Sequence, residues 1–251
     1  IYIIVSIMDS VRILKTEISL TKIEEVSEVL INSSKISVAV CNANTLVRSY
    51  KDEIICNTIN SFSIRCPDGF PVAKSSRLLY KNKQKRVDGY KLFLHTIQKG
   101  IESNTSHYFF GNTQEVTTKM IDEIIKIHPK VNIKGFACPP MHEVDELSKM
   151  KYLEDILKLN PDIVWVSLGF PKQEQFIDLI NKKYDTNSNM VGIGAVFEWV
   201  AKTKIKAPEL IANVGLEWLF RLVQEPKRLF RRYLIDNFLF IIYFIKQYLS
   251  K

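Results

Sequence analysis

Short β-branched runs alternating with helically spaced segments predict an α/β fold. The expected form is a mostly parallel sheet flanked by helices, with a C-terminal helical appendage. Residues 36–41 (ISVAVC), 108–110, 131–136 (VNIKGF), 163–168 (IVWVSL) and 190–193 read as strands. Between them, residues 52–61, 87–99, 113–128, 144–159 and 173–183 carry apolar side chains at helical spacing. A strand–helix–strand order favours parallel pairing, because each crossover helix packs back on the sheet. Asn112-Thr113 and Pro171-Lys172 stand where a strand passes into a helix, the usual place for ligand contacts in such sheets.

The character of the chain changes near residues 202–208. Before this point lie the last strand and a short helix at 195–201; after it, 208–224 and 226–248 read as two helices, with Pro226 suited to a first turn. The expected division is an α/β core, residues 1–201, and a basic, aromatic-rich appendage, residues 202–251. Six Lys and four Arg against three Glu and one Asp give the appendage 10 − 4 = +6 of the chain's +8. Arg221, Arg228, Arg231 and Arg232 are interleaved there with Trp218, Phe220, Phe230 and Tyr233. Such a surface attracts nucleic acid, anionic lipid or a diphosphate. Rings and aliphatic stems beside the charges suit a lipid face better than a duplex, and no nucleic-acid module motif accompanies them.

Hydrophobic content of 46% with 25% charged residues rules out wholesale disorder. Cys41, Cys56, Cys66 and Cys138 have neither metal-ligand spacing nor the density of a disulfide scaffold, so a reducing, cytoplasmic compartment is expected. The opening IYIIVSI is too short and too poor in basic residues for a signal peptide, and the sequence leaves open whether the natural start is Met8 or lies upstream of it. The apolar run 238–245 falls well short of the ~20 residues needed to span a bilayer. Membrane contact is therefore expected at the surface.

Three constellations offer chemistry. Cys66-Pro67-Asp68-Gly69-Phe70 places a carboxylate at a turn, where it can accept a proton from a sugar hydroxyl; the same residues make an ordinary structural turn. Asn42-Ala43-Asn44-Thr45 follows the first core strand, and its amides suit either sugar binding or a helix cap. Ser167-Leu168-Gly169-Phe170-Pro171-Lys172-Gln173-Glu174 reads as a strand end and glycine turn into a helix, which attracts phosphate or simply starts a helix. Gly192-x-Gly194 lacks the third glycine of a dinucleotide fingerprint, which disfavours a dehydrogenase.

Taken in order, these motifs resemble the WecG/TagA/CpsF glycosyltransferases over about 200 residues. The resemblance is carried by Asn42, Pro67-Asp68-Gly69, Arg86-Val87-Asp88-Gly89, Gly169 to Glu174, Gly192-x-Gly194, Glu217-Trp218-Leu219-Phe220-Arg221-Leu222 and Glu225-Pro226-Lys227-Arg228. It implies a Rossmann-like core whose mobile C-terminal appendage completes the site, with Asp68 as general base. It further implies that Asn42, Asn44, Thr45, Arg86 and Gln173 bind substrate and that Arg221, Arg228 and Arg231 hold the diphosphate. Arg suits that task through its planar fork. No metal and no cofactor are expected, since the chain has no Asp-x-Asp dyad.

Three residues depart from the family pattern. Val40 replaces a frequent Thr, Lys91 a frequent Asp, and Lys206-Ala207-Pro208 a frequent Arg-Ala-Pro. They weaken any transfer of N-acetylmannosamine specificity.

The expected function is thus an inverting transfer of a sugar from a UDP-sugar to a polyprenyl-diphosphate-linked sugar, at the inner face of the cell membrane. A homo-oligomer is compatible with the sequence. The alternative is a non-catalytic membrane-surface module using the same tail.

Overall fold

The computed structural model describes residues 8–140, 144–147 and 151–250; the apolar opening at 1–7 lies outside them. The described chain opens with an antiparallel hairpin, β1 (Ser10–Ile13) and β2 (Thr16–Ser19), followed by helix α1 (Ile23–Asn32). Six strands then form one sheet: β3 (Ser37–Cys41), β4 (Ile64–Pro67), β5 (Ser106–Gly111), β6 (Asn132–Ala137), β7 (Ile163–Ser167) and β8 (Asn189–Gly192). Their order is β4-β3-β8-β7-β5-β6, and every pairing is parallel. The α/β architecture read from the sequence is therefore the architecture observed.

Crossover helices cover both faces. α2 (Ala43–Lys51), α3 (Glu53–Asn60) and α9 (Lys172–Lys183) pack on one side, with α7 (Val144–Leu147) and α8 (Lys151–Leu159). On the other side are α1, α5 (Gly89–Gly100), α6 (Gln114–Ile127) and α10 (Val196–Val200). α4 (Phe70–Tyr80) follows β4. Strand side chains alternate between the layers, as a two-faced buried sheet requires. Tyr108 and Phe110 of β5 join Leu46 and Phe176 on one face, while Phe109 joins Phe93 and Phe197 on the other.

Strand β4 was not legible as a strand, because Ile64-Arg65-Cys66-Pro67 lacks a β-branched run. It forms at the sheet edge, where a terminal proline is tolerated. The hairpin covers its outer side: the Arg65 N–H donates to Ser19 Oγ at 3.1 Å and Arg65 Nε to the Glu17 carbonyl at 2.6 Å.

The tail also departs from the two expected helices. It is broken into α11 (Glu209–Asn213), α12 (Glu217–Gln224), α13 (Pro226–Phe230), a π-helical turn (Arg231–Ile235) and α14 (Asp236–Leu249). The first break lies at Gly215, which has φ +81°; a Cβ there would stand 2.9 Å from the Phe70 ring. Only glycine meets both the left-handed backbone and the close approach.

Helix α14 lies on α2. The Tyr243 ring lies tilted against that of Tyr50 with centroids 4.5 Å apart, Phe240 enters the core layer, and the Gln247 amide accepts from the Leu14 N–H at 2.8 Å and donates to the Arg12 carbonyl at 3.0 Å.

One buried polar pair lies under the sheet. Trp165 Nε1–H donates to His107 Nδ1 at 3.2 Å, and His107 is fully buried. Burial lowers the His107 pKa to about 4, against a weaker opposing pull from Asp162. A neutral imidazole is favoured when folded. Its contribution is therefore present above pH ~6.5 and is lost as pH falls toward 4, worth about 3 kcal/mol at most. Urea unfolding at pH 7.5 and 4.5 should show this acid loss in the wild type. His107→Asn, which keeps an acceptor for Trp165 but cannot protonate, should lose roughly 2 kcal/mol less between the two pH values.

Candidate active site

The carboxyl ends of β3, β4, β5, β7 and β8 open onto one cleft of about 840 Å³. This is the rim where open parallel sheets bind ligands. Its far wall comes from the tail, through Glu217, Arg221 and Arg228.

Asp68 stands at the floor of the cleft. Strand β4 stops at Pro67, the Asp68 N–H donates to the Cys41 carbonyl at 2.8 Å, and Gly69 turns the chain with φ +79° into α4. The Gly69 N–H donates to Asp68 Oδ1 at 2.8 Å. The carboxylate is 25% exposed, toward the cleft. Burial raises its pKa to about 6; Arg86 opposes the rise, while the charges of Asp88 and Glu217 add to it.

Arg86 ties three segments together. Its Nη2 contacts Asp88 Oδ2 and lies 2.7 Å from Glu217 Oε2, and its Nε lies 3.3 Å from Asp68 Oδ1. Asp88 also caps α5, accepting from the N–H groups of Tyr90 at 2.9 Å and Lys91 at 3.2 Å. Lys206 closes on Asp88 at 2.9 Å. Burial alone pushes the Asp88 pKa up, but Arg86 and Lys206 outweigh it and hold it below the usual carboxylate range. The two departures at these positions are thus absorbed locally: Lys206 serves Asp88, and Lys91 pairs with Glu209 at 2.6 Å.

On the tail, the Arg221 guanidinium lies 5.1 Å from the Trp199 ring and 5.9 Å from that of Tyr233. Such stacking orients the fork while leaving its edge N–H groups free of the rings. Arg228 is parked on Glu225, with Nε 3.0 Å from Oε1, and Lys204 bridges Glu225 and Glu198 at 2.8 and 2.6 Å.

The amides serve mainly to shape the rim. Asn42 caps α2, its Oδ1 accepting from the Thr45 N–H at 3.2 Å, while the Thr45 hydroxyl accepts from the Asn42 N–H at 3.4 Å. Gln173 Oε1 accepts from the Gly194 N–H at 3.0 Å and its Nε2 donates to Glu174 at 2.8 Å, which fixes the turn after β8. Ser167 donates to the Gly194 carbonyl at 2.6 Å and receives the Asn112 amide at 3.3 Å. The Phe170–Pro171 peptide at this rim is cis.

Of the residues singled out in the sequence, Asp68, Asn42, Thr45, Arg86, Gln173, Arg221 and Arg228 line the cleft. Asn44 does not: it is buried, and its amide is hydrogen-bonded to Asp236 of α14. Arg231 is exposed on the π-helical turn and is absent from the lining. Arg86 lines the cleft, yet its charge is engaged by three carboxylates. Asn112 and Ser167, read at strand ends, line it too, and Asp88, Glu217 and Trp199 join the lining without having been singled out as site residues. For Asp88 and Glu217 the signal was at hand, since both sit inside motifs recognised for their neighbours. Among the described residues, no group of three or more His, Cys, Asp or Glu is arranged to hold a metal ion.

The family model described as "Glycosyl transferase WecG/TagA/CpsF family" matches residues 11–251. Similar proteins include an N-acetylglucosaminyldiphosphoundecaprenol N-acetyl-beta-D-mannosaminyltransferase of Bacillus subtilis (strain 168), 25% identical over 76% of this chain and 72% of that protein. The protein of that name from Bacillus spizizenii is 28% identical over 68% of this chain and 64% of its own length. The one from Staphylococcus aureus (strain MW2) is 24% identical over 92% and 90%.

The raised proton affinity of Asp68 has a consequence for stability. Below pH ~4 both folded and unfolded states carry its proton, and no penalty arises. Above pH ~6 the folded state must hold a charge it disfavours, an effect of at most about 3 kcal/mol. The stability of Asp68→Asn relative to wild type should therefore grow by roughly 2 kcal/mol between pH 4 and pH 7.5 in urea unfolding. A constant difference would show that the carboxylate is not desolvated.

Proposed function

Because the chain belongs to the WecG/TagA/CpsF glycosyltransferase family, we propose that it is an inverting glycosyltransferase. It moves an N-acetylmannosamine-like sugar or a related hexose from a UDP-sugar to a hydroxyl of a polyprenyl-diphosphate-linked sugar. The process it serves is surface polysaccharide or teichoic acid biosynthesis. The names of the relatives support this reading, since they specify N-acetyl-β-D-mannosaminyl transfer to N-acetylglucosaminyldiphosphoundecaprenol.

The observation that carries the chemistry is the recessed Asp68 with its pKa near 6, at the floor of a cleft walled by arginines. A base with that affinity is largely ionised at neutral pH yet still holds a proton well, the match that general base catalysis needs. In the proposed step Asp68 accepts the proton of the acceptor hydroxyl as its oxygen attacks the anomeric carbon. The bond from that carbon to the UDP oxygen breaks on the opposite face, which inverts the centre. Arg221 and Arg228 take the charge that gathers on the leaving diphosphate, for which Arg228 exchanges Glu225 for phosphate.

Membrane contact is proposed through the tail. No helix among the described residues is long and apolar enough to cross a membrane. Helix α14 nonetheless leaves Phe238, Ile241, Ile245 and Leu249 exposed, at 64%, 54%, 50% and 79%. Beside the basic charge, such a face suits a peripheral position at the bilayer surface, near a lipid-linked acceptor.

Asp68→Asn should bind UDP with near-normal affinity while turnover falls by ~10²-fold or more. The wild-type rate should rise with pH on a limb centred near 6 and level off above 7. Mass analysis of the lipid-linked product and UDP release provide the measurement; near-normal turnover in the variant excludes Asp68 as the base. A cation supplied by arginine makes a second expectation: turnover survives excess EDTA, whereas Arg221→Ala lowers it by about 10-fold to 10²-fold with little change in liposome binding. Loss in EDTA restored by Mg²⁺ would instead show a metal-dependent leaving-group step.

A further inference from the structure

Asp68 makes the weakest of the three contacts to Arg86. The Asp88 and Glu217 carboxylates both engage Nη2, the latter at 2.7 Å, whereas Nε lies 3.3 Å from Asp68 Oδ1 and forms no hydrogen bond to it. The fork is held away from the base by its other two partners. One of these, Asp88, belongs to the core and is anchored as the cap of α5. The other, Glu217, arrives from the first turn of α12 in the tail.

The tail reaches the Asp68 turn at a second point. Gly215, two residues before Glu217, packs against Phe70, two residues after Asp68. Glu217 is thus placed by backbone contact at the segment carrying the base. Among the described residues, the charged groups that act on Asp68 are Arg86 and Asp88 from the loop before α5 and Glu217 from α12, with Lys206 one step away on Asp88 and Arg65 one step away beside Cys66. Beneath them lie the Cys41 and Cys66 thiols, both pushed up by burial and so uncharged. Three carboxylates against Arg86 and Lys206 leave one negative charge in excess.

We propose that Glu217 is a positioning residue for the base: by occupying one arm of Arg86 it prevents Asp68 from closing into a tight ion pair, so that a docked tail is what makes the base reactive. Without Glu217, the Nη2 N–H it had occupied turns to Asp68 and joins Nε in a two-pronged pair, while Asp88 keeps its own contact to Nη2. Such pairs are among the strongest charge-assisted hydrogen bonds and hold the carboxylate ionised but poorly basic. The excess negative charge beside Asp68 disappears at the same time. The proposal rests on the reading of Asp68 as general base, but its effect on Asp68 is measurable without any turnover.

The test is the titration of the Asp68 side-chain carboxyl carbon by NMR in the full chain, free of ligand, with the resonance assigned by its absence in Asp68→Asn. Glu217→Gln should lower the proton affinity of Asp68 about three- to tenfold, while Glu217→Asp, which keeps the charge, should hold it within roughly twofold of wild type. With UDP-N-acetylmannosamine and a short-chain polyprenyl-diphosphate N-acetylglucosamine, Glu217→Gln should reduce kcat several-fold with KM for the donor unchanged, and Glu217→Asp should restore most of it. An unmoved Asp68 titration in Glu217→Gln overturns the proposal. Equal shifts in the Gln and Asp variants also overturn it, because they would assign Glu217 a purely steric part in docking. A fully active Asp68→Asn overturns the base reading instead, leaving the carboxyl titration to judge the influence of Glu217 on Asp68.

Discussion

A guanidinium at the floor of a cleft cannot be left unpaired, and much of this molecule is arranged around meeting that requirement for Arg86. Its side chain is only 18% exposed, and water alone does not stabilise its charge there. Three carboxylates from three separate segments converge on it, and removing one partner of a buried pair costs about 3–5 kcal/mol. The end of β4, the start of α5 and the first turn of α12 are therefore held in one mutual position. The excess of one negative charge falls on the carboxylate with the poorest contact, Asp68, and raises its proton affinity further. Electrostatics that fix the structure thus also raise the proton affinity of the carboxylate proposed as the base.

This arrangement needs a stiff support, which the sheet supplies. Its central strands are buried on both faces, and large side chains such as Phe93, Phe109, Phe197 and Trp165 interlock on one of them. Interiors packed in this way resist displacement, so the strand ends keep their spacing at the rim. The polar rim residues then hold one another. Asn42 and Thr45 cap α2, Gln173 clasps Gly194, and Ser167 joins Asn112 to the same turn. Several of these amides are thereby spent on the shape of the cleft.

The tail is held by interactions of a different kind from those in the core. Arg221 rests on Trp199 and Tyr233, Lys206 on Asp88 and the Tyr90 ring, and Glu217 on Arg86. Apart from the recessed pairs of Arg86 and Lys206, these are cation–ring contacts around a water-accessible cleft. Among the described residues, α14 joins the tail to the apolar layers through Phe240 and Tyr243. Helix α14 thereby attaches the segment carrying the arginines to the core.

The sequence by itself determined the layered α/β architecture, the positions of five of the sheet strands and the motif residues that line the cleft. Each of these is written in local periodicity, in β-branched runs or in turn chemistry spanning a few residues. The same local reading missed β4, whose four residues carry no such pattern and form a strand only because β3 and the hairpin flank them. It assigned Asn44 to the substrate, when that amide bonds Asp236, 192 residues away. It counted Arg86 among the substrate-binding residues, when its charge is engaged by carboxylates. Tertiary structure alone decided those pairings and the tail's contact with the Asp68 turn, because charge compensation depends on distance in space. A sequence displays the charges of Asp68, Arg86, Asp88 and Glu217, but only the fold sets which of them share one arginine and which is left to hold a proton.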